Sequence, residues 1–202
     1  MWMLLSMSLF AFSLSVTPGP VNLVSFINGL NHGLYKAQAF VLGATIGFCL
    51  LLMACGLGME ALIGQHPQLG PWLGALGAVF ILYLGYRIAF GSSSEAHQQQ
   101  PLAGFLQGFT LQWLNPKAWA ACLSAVSAFN LTQSGHVLLL FVGLYFVCCY
   151  LGISLWAWVG TRLRHHASSA RVSGYLNLAT GVTLFLLGGY LFIQRGLSLP
   201  FD

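Results

Sequence analysis

The feature that most constrains this chain is a charged residue in the middle of an apolar run that is long enough to cross a lipid bilayer. The run extends from about residue 102 to about residue 129, and Lys117 lies near its middle, directly after Asn115 and Pro116. A charge and a helix-breaking proline are both costly at membrane depth, and such residues mark functional positions. The sequence therefore predicts that this stretch serves a site.

The composition places the rest of the chain in a membrane as well. Of the 202 residues, 57% are hydrophobic and only 5% are charged, and the mean hydropathy is +0.80. Because a soluble domain carries about 25% charged residues, this chain lacks the polar surface that a water-soluble globule needs. We expect an all-α integral membrane protein with a single transmembrane domain over residues 1–202. The net charge of +4 forms no basic stripe, so nucleic acid is not expected as a partner.

The cysteines and histidines give no sign of a metal or a cofactor. The five cysteines fall in or at the edges of apolar runs without a C-x-x-C pair, which predicts buried thiols that act as small hydrophobic residues. The six histidines fall in predicted loops or helix ends, and their spacing is not that of a zinc site. A glycine-rich phosphate-binding motif is also missing from the sequence, so direct use of ATP is not expected.

Six segments are long enough to span a bilayer, since each exceeds the ~18–20 apolar residues that a span requires. A polar linker over about residues 91–101 separates the third segment from the fourth. The first segment is interrupted at its centre by Thr17-Pro18-Gly19-Pro20. The six segments cover about residues 2–30, 37–57, 71–90, 102–129, 136–160 and 174–193.

The distribution of lysine and arginine predicts the orientation of these spans. Short loops rich in these residues stay in the cytoplasm. The loops after the second and fourth segments contain neither residue, whereas those after the odd segments do, so we predict that both termini face outward. Arg195 near the C-terminus is an exception. The residues that support this orientation are Lys36, Arg87, Arg162, Arg164 and Arg171.

Three pairs of features recur at a separation of about 100 residues, which suggests an internal repeat. We expect one repeat over about residues 1–90 and a second over about residues 102–195. Because three spans is an odd number, the second copy inserts upside down, and such a 3+3 inverted repeat with broken helices 1 and 4 is typical of secondary transporters. Chance is the alternative, because glycine is abundant. The pairs are Pro18 with Pro116, Gly43 with Gly143, and Gly85-Tyr86 with Gly189-Tyr190.

The two predicted breaks offer complementary chemistry. Proline has no N–H, so the carbonyl one turn earlier loses its donor. At the first break this frees carbonyls near residues 14–16, and a half-helix with a positive end begins near Pro20. At the second break Asn115 suits an N-cap and Pro116 a first helical residue, and Lys117 adds a positive charge in the first turn. Freed carbonyls attract an ammonium, while Lys117 and a half-helix end attract a carboxylate, so the pocket suits a small zwitterion such as an α-amino acid.

Lys117 has no acid at the same depth, since the only acidic residues are Glu60, Glu95 and Asp202. Its counter-charge could therefore be the carboxylate of the substrate. A lysine that loses its proton in the absence of substrate would couple transport to protons. The alternative is a purely structural role, in which Lys117 donates to carbonyls freed by Pro116 or extends toward a water-filled vestibule.

Polar residues near the breaks complete the predicted pocket. Asn22 lies at the start of the half-helix that follows Pro20, and Gln112 shares a helical face with Asn115. Trp119 could close an apolar side of the pocket, or pack in the core. Gln107 and Asn177 are interpreted as packing residues. The predicted substrate-binding residues are Thr17, Pro18, Gly19, Pro20, Asn22, Gln112, Asn115, Pro116, Lys117 and Trp119.

The same stretches carry a resemblance that covers nearly the whole chain. Together they resemble the signatures of the LysE/RhtB family of amino-acid exporters, in order and in spacing. Val21 is a departure, because many members place an asparagine directly after the second proline. The matching stretches are Thr17-Pro18-Gly19-Pro20 with Asn22, Gly29, His32 and Gly33, then residues 82–87, and Gly108-Phe109 with Leu114-Asn115-Pro116-Lys117-Ala118.

The resemblance implies a transporter of the bacterial inner membrane that exports amino acids or close derivatives, as an antiporter driven by protons. Residues 111–113 and 125–129 look most like the branch that exports cysteine and O-acetylserine. The expected partners are a small zwitterionic substrate, protons and the lipid bilayer, and a homodimer is left open.

Three other functions are compatible with an apolar chain of this kind. A channel or facilitator for a small polar solute is the first. An intramembrane enzyme is the second, but it needs a nucleophile–base pair or a metal cluster at depth, and the predicted spans contain no histidine or acid away from their ends. A non-transporting assembly or redox subunit is the third.

Overall fold

The structure, a computed structural model, describes residues 2–58, 69–90, 102–166 and 170–196, and all regular structure in these ranges is helical. This confirms the predicted all-α class. The predicted linker at residues 91–101 and all three acidic residues lie outside the described ranges. A short 3-10 turn, Leu131–Gln133, precedes the seventh helix. The described α-helices are α1 (Trp2–Val16), α2 (Pro20–His32), α3 (Leu34–Gly56), α4 (Leu69–Phe90), α5 (Phe105–Trp113), α6 (Pro116–Ala128), α7 (Gly135–His166) and α8 (Ala170–Gly196).

Three of the described helical stretches are long and apolar enough to cross a membrane: Leu34–Gly56, Gly135–Arg164 and Gly174–Ile193. Helices α1 and α2 together make a fourth candidate, bent by 62° at the break between them. A shorter apolar stretch, Ala75–Phe90, belongs to α4. Multi-pass membrane insertion follows from these lengths, while six spans in a 3+3 inverted repeat remain a prediction.

Both predicted helix breaks are present, and local sequence explains them. Residues 17–19 separate α1 from α2, and residues 114–115 separate α5 from α6. In each case the second helix begins on a proline, whose missing N–H costs nothing at that position. The tight turn between α2 and α3 uses Gly33, which has φ of 85°, a conformation that glycine adopts readily.

The helices pack so that α3 and α7 each lie against both halves of a broken span. Helix α7 contacts α1 and α2, and α3 contacts α5 and α6, while α4 packs chiefly against α8. Close approach depends on glycine, because a Cβ on Gly29 would overlap the carbonyl oxygen of Ala157, and one on Gly43 would overlap that of Phe105. Small residues that let backbones meet in this way are the usual means of helix association in membranes.

The distribution of side chains is that of a membrane protein, with apolar residues outward and polar residues inside. Large apolar side chains such as Leu9, Phe12 and Leu186 are exposed. The five cysteines form no disulfide bonds, and four of the five are buried. The buried polar residues of the described ranges are Ser15, Asn22, Ser25, Asn28, Thr45, Gln112, Asn115, Asn177 and Thr180.

The glycine pairs that suggested the repeat do not share an environment. Gly43 lies against Phe105 and Gly85 lies against α8, whereas a Cβ added to Gly143 or Gly189 would meet no described atom within 4 Å. Helix packing therefore does not account for these two recurrences. The prediction of a repeat depends on the pair of breaks and on the matching arrangement of α3 and α7.

Candidate functional site

The first break is held together by two side chains that replace lost helical hydrogen bonds. Asn22 Nδ2 donates to the carbonyl oxygen of Ser15 at 2.9 Å and to that of Thr17 at 2.8 Å. Trp156 Nε1, from α7, donates to the carbonyl oxygen of Val16 at 2.9 Å. Val16 lies four residues before Pro20 and so loses its helical donor to that proline. Of the carbonyls that the sequence predicted to be free near residues 14–16, those of Ser15 and Val16 thus receive side-chain donors.

The second break is capped by its own residues. Asn115 Oδ1 accepts a hydrogen bond from the backbone N–H of Lys117 at 3.1 Å, which confirms Asn115 as the N-cap of α6. Trp119 Nε1 donates to the carbonyl oxygen of Trp113 at 2.7 Å and so bridges the end of α5 to α6. The break is therefore a defined turn, in which the N–H groups of Leu114 and Asn115 and the carbonyls of Trp113 and Asn115 have partners.

Lys117 joins the two breaks. Its Nζ lies 2.5 Å from the carbonyl oxygen of Thr17 and 3.5 Å from that of Pro18. The acceptors belong to the first break rather than to Lys117's own, about 100 residues away in the chain. Gly19 gives the lysine stem room, since a Cβ there would lie 3.2 Å from Lys117 Cδ. One side chain therefore links the two places where the helices are interrupted.

The ammonium of Lys117 has no carboxylate partner within the described ranges, because these contain no aspartate or glutamate. Its charge is instead held by carbonyl dipoles. A lysine held in this way remains able to attract an anion, because carbonyl oxygens do not cancel its net charge.

A cavity of about 40 Å³ lies between the breaks, with room for a few water molecules. Its polar side includes the N-terminal end of α2, where Gly19 has no side chain to cap the first N–H groups. This end of the helix carries positive partial charge. The residues lining the cavity are Leu14, Ser15, Gly19, Val21, Asn22, Phe48, Gln112, Asn115, Lys117, Ala118, Ala121, Tyr145, Cys149 and Ile153.

Gln112 is the cavity residue whose side-chain amide is available to bind a ligand. Its side chain is 5% exposed, and no hydrogen bond ties it to another described residue. Its amide atoms are accessible from the cavity rather than sealed from water. Since the amide lines the cavity, water or a ligand is what can satisfy it.

Comparison with known proteins assigns the chain to a family. Residues 12–195 match the family of LysE type translocators. The chain belongs to the LysE family. Among proteins with a named activity, this LysE-family chain is similar to the cysteine/O-acetylserine efflux proteins of Escherichia coli K12, Salmonella typhimurium and Shigella flexneri. In each case it is 28% identical over 120 residues, which are 59% of this chain and 62% of the relative, and so less than two thirds of the relative's length. No solved structure matches the chain.

The structure of this LysE-family chain brings most of the predicted residues to one place. Gly19, Asn22, Gln112, Asn115 and Lys117 line the cavity. Of the other five, Thr17 and Pro18 supply acceptor carbonyls for Lys117. Pro20 and Pro116 are the first residues of α2 and α6. Trp119 braces the second break without lining the cavity.

The two residues interpreted as packing polars have structural partners. Gln107 Oε1 accepts from the backbone N–H of Gly104 at 3.0 Å and so caps α5. Asn177 of α8 and Asn31 of α2 pair through their side-chain amides at 3.1 Å. Neither residue lines the cavity.

The apolar wall of the cavity was missed by sequence reasoning. Phe48 of α3 and Tyr145 of α7 stack with ring centroids 4.3 Å apart and planes 16° from parallel, and Cys149 and Ile153 follow on the same helix. These residues carry no motif, and apolar residues of the same types occur throughout the chain. These residues form a wall because α3 packs against α7, a contact that the sequence does not reveal.

Proposed function

We propose that this protein is a secondary transporter that exports small amino acids or close derivatives from the bacterial cytoplasm. The observation that carries the proposal is the contact of Lys117 with the first break, at a cavity that contains no carboxylate among the described residues. Membership of a family of translocators supports transport rather than enzymatic chemistry.

The cavity and the first break beside it together offer both kinds of group that an α-amino acid requires. Lys117 and the uncapped N-terminus of α2 favour a carboxylate. The carbonyl oxygens of Thr17 and Pro18 favour an ammonium. Gln112 can hydrogen-bond either a carboxylate oxygen or a polar side chain of the substrate. The small volume and the Phe48–Tyr145 wall favour a short side chain.

Cysteine and O-acetylserine are the substrates that we propose first, because the similar proteins are named for their efflux. Both compounds are small zwitterions, whose carboxylate and ammonium groups match Lys117 and the carbonyl oxygens of the first break. The alternative is a channel or facilitator for a small polar solute. A single lysine without a ring of like residues favours a transporter over a channel.

We further propose a six-span arrangement in the inner membrane with both termini outside, a 3+3 inverted repeat, and antiport with protons. The packing of α7 against both halves of one broken span, and of α3 against both halves of the other, is what an inverted repeat would produce. The proton gradient is the driving force that the family resemblance suggests.

Export of labelled amino acids from cells tests the proposal. Cells that express the wild type should release labelled cysteine or O-acetylserine faster than cells without it, and Lys117→Ala at equal membrane abundance should lose most of this release. Lys36→Ala, which removes an exposed lysine at the start of α3, is the matched control. Equal export by wild type and Lys117→Ala would remove Lys117 from the site, and no export of any amino acid by the wild type would remove the function.

Counterflow separates a transporter from a channel. Unlabelled substrate on the far side should accelerate the movement of labelled substrate through a transporter, whereas a channel would show no such stimulation.

A further inference from the structure

We propose that Lys117 is a built-in substitute for the ammonium group of the cargo, and that it lets the transporter reset without cargo. This inference rests on the export function proposed above. It assigns Lys117 a second role, in addition to binding the carboxylate: it competes with the ammonium of the cargo for the carbonyl oxygens of the first break.

The contact of Lys117 with the first break carries the inference. The carbonyl oxygens of Thr17 and Pro18, which are the acceptors an incoming ammonium would need, lie within hydrogen-bonding distance of Lys117 Nζ. Among the residues that the structure describes, Lys117 is the one lysine or arginine that lines the cavity. The amino acid itself brings the same chemical group, a primary ammonium with three N–H donors.

Of the two donors at Thr17, Lys117 is the one that can leave. Asn22 is buried, and its amide holds two carbonyls at once, those of Ser15 and Thr17. Lys117 is half-buried and reaches Thr17 through a flexible four-carbon stem. Cargo therefore displaces Lys117 more readily than Asn22.

One displacement satisfies every charge when an α-amino acid enters. The ammonium of the cargo takes the Thr17 and Pro18 carbonyls, and its carboxylate takes the released Lys117 Nζ. When the cargo leaves, Lys117 returns to the carbonyls. In both situations the lysine ammonium and the carbonyl oxygens keep hydrogen-bond partners.

This exchange of partners predicts that two modes of transport, net efflux and exchange, depend on Lys117 to different extents. Net efflux requires the protein to return without cargo, which places Lys117 on the carbonyls. Exchange of cargo for cargo does not require that return. Removal of the lysine ammonium should therefore impair net efflux far more than exchange.

Purified protein in lipid vesicles tests the split with reduced, labelled L-cysteine as the probe. Net efflux is measured into buffer without amino acid, and exchange into buffer with saturating unlabelled L-cysteine. Lys117→Met keeps the length of the side chain but has no donor, and it should lower net efflux by about tenfold or more. The maximal rate of exchange should fall by no more than about threefold, because weakened binding of the carboxylate raises the half-saturating concentration rather than that rate.

Two further variants control for effects on folding. Lys117→Arg keeps a cationic donor and should retain more net efflux than Lys117→Met, and Lys36→Ala should behave as wild type in both modes. Thermal unfolding in detergent is recorded for each. If Lys117→Met is misfolded, the comparison is made between Lys117→Arg and Lys117→Gln.

The outcomes are distinct. Equal loss of net efflux and exchange at saturation would overturn the substitute role and leave Lys117 as a binding residue only. Loss of neither would overturn both roles of Lys117. If the wild type moves L-cysteine in neither mode, the proposed export of cysteine fails, and the inference fails with it.

Discussion

At the scale of single residues, two amide side chains at the cavity differ in their hydrogen bonds. Asn22 donates to two backbone carbonyls, those of Ser15 and Thr17. Gln112 has no such bond among the described residues, although it is equally buried. Both were predicted to line the pocket, and both do. Their contacts divide the roles, so Asn22 shapes the break and Gln112 is available to the ligand.

The role of Asn22 can be measured as stability. Asn22→Ala leaves the Ser15 carbonyl without a donor and should lower the free energy of unfolding by about 1–3 kcal/mol, the usual cost of a buried unsatisfied group. The measurement is thermal or denaturant unfolding in detergent. Thr183→Ala is the control, since that hydroxyl is exposed and bonds within its own helix to Ala179. Equal stability of the two variants would contradict the bracing role.

The small residues of α6 should limit the size of the substrate. Ala121 lines the cavity, whereas its neighbour Ala120 is exposed. Ala121→Leu adds three carbon atoms to a cavity of about 40 Å³ and should abolish export of cysteine, while Ala120→Leu should leave it within about twofold of wild type. Initial export rates at matched membrane abundance provide the measurement. Unimpaired export by Ala121→Leu would place the substrate elsewhere.

At the scale of helices, the sequence was sufficient to predict where the helices break. It was not sufficient to predict which residues contact the breaks. Proline, glycine and asparagine act on their own neighbours, so the break at residues 17–19 and the cap at Asn115 follow from local chemistry. The acceptors of Lys117 and the donation from Trp156 to Val16 join residues about 100 or more apart. In a chain where most residues are apolar, periodicity does not select which apolar faces meet, and so the wall of Phe48 and Tyr145 was missed.

Close contact between α2 and α7 should make Gly29 intolerant of a larger residue. A Cβ there would overlap the Ala157 carbonyl, so Gly29→Ala should lower the free energy of unfolding by about 1–3 kcal/mol. Gly143→Ala, on the same helix as Ala157, adds its methyl group to open space and should leave stability unchanged or raise it by up to about 1 kcal/mol. Unfolding midpoints of the two purified variants test this difference. Equal midpoints would contradict the packing.

At the scale of the whole molecule, the described helices form two packing groups. Helices α4 and α8 pack chiefly on each other, while α1, α2, α3, α5, α6 and α7 surround the cavity. The side chains of Asn31 and Asn177 join the two groups. Within the described residues, three helical stretches and one bent pair pass as candidate spans, and a measurement of topology tests the six that the sequence predicts.

Reporter fusions provide that measurement. With six spans and both termini outside, alkaline phosphatase fused after residue 202 should be active, and green fluorescent protein at the same place should be dark. A fusion within residues 91–101 should give the opposite result, because the loop after the third span is predicted to be cytoplasmic. A fluorescent C-terminal fusion would mean an odd number of spans or the reverse orientation.

The pairing of Lys117 with Thr17 also bears on biogenesis. The acceptor precedes the lysine by 100 residues, so it is synthesised and leaves the ribosome before Lys117 does. A charged residue in a hydrophobic segment otherwise opposes insertion by several kcal/mol at the helix centre. The order of synthesis thus supplies a dipole to receive the charge as the later segment inserts. The first broken helix would then act as an intramolecular insertion partner for the second.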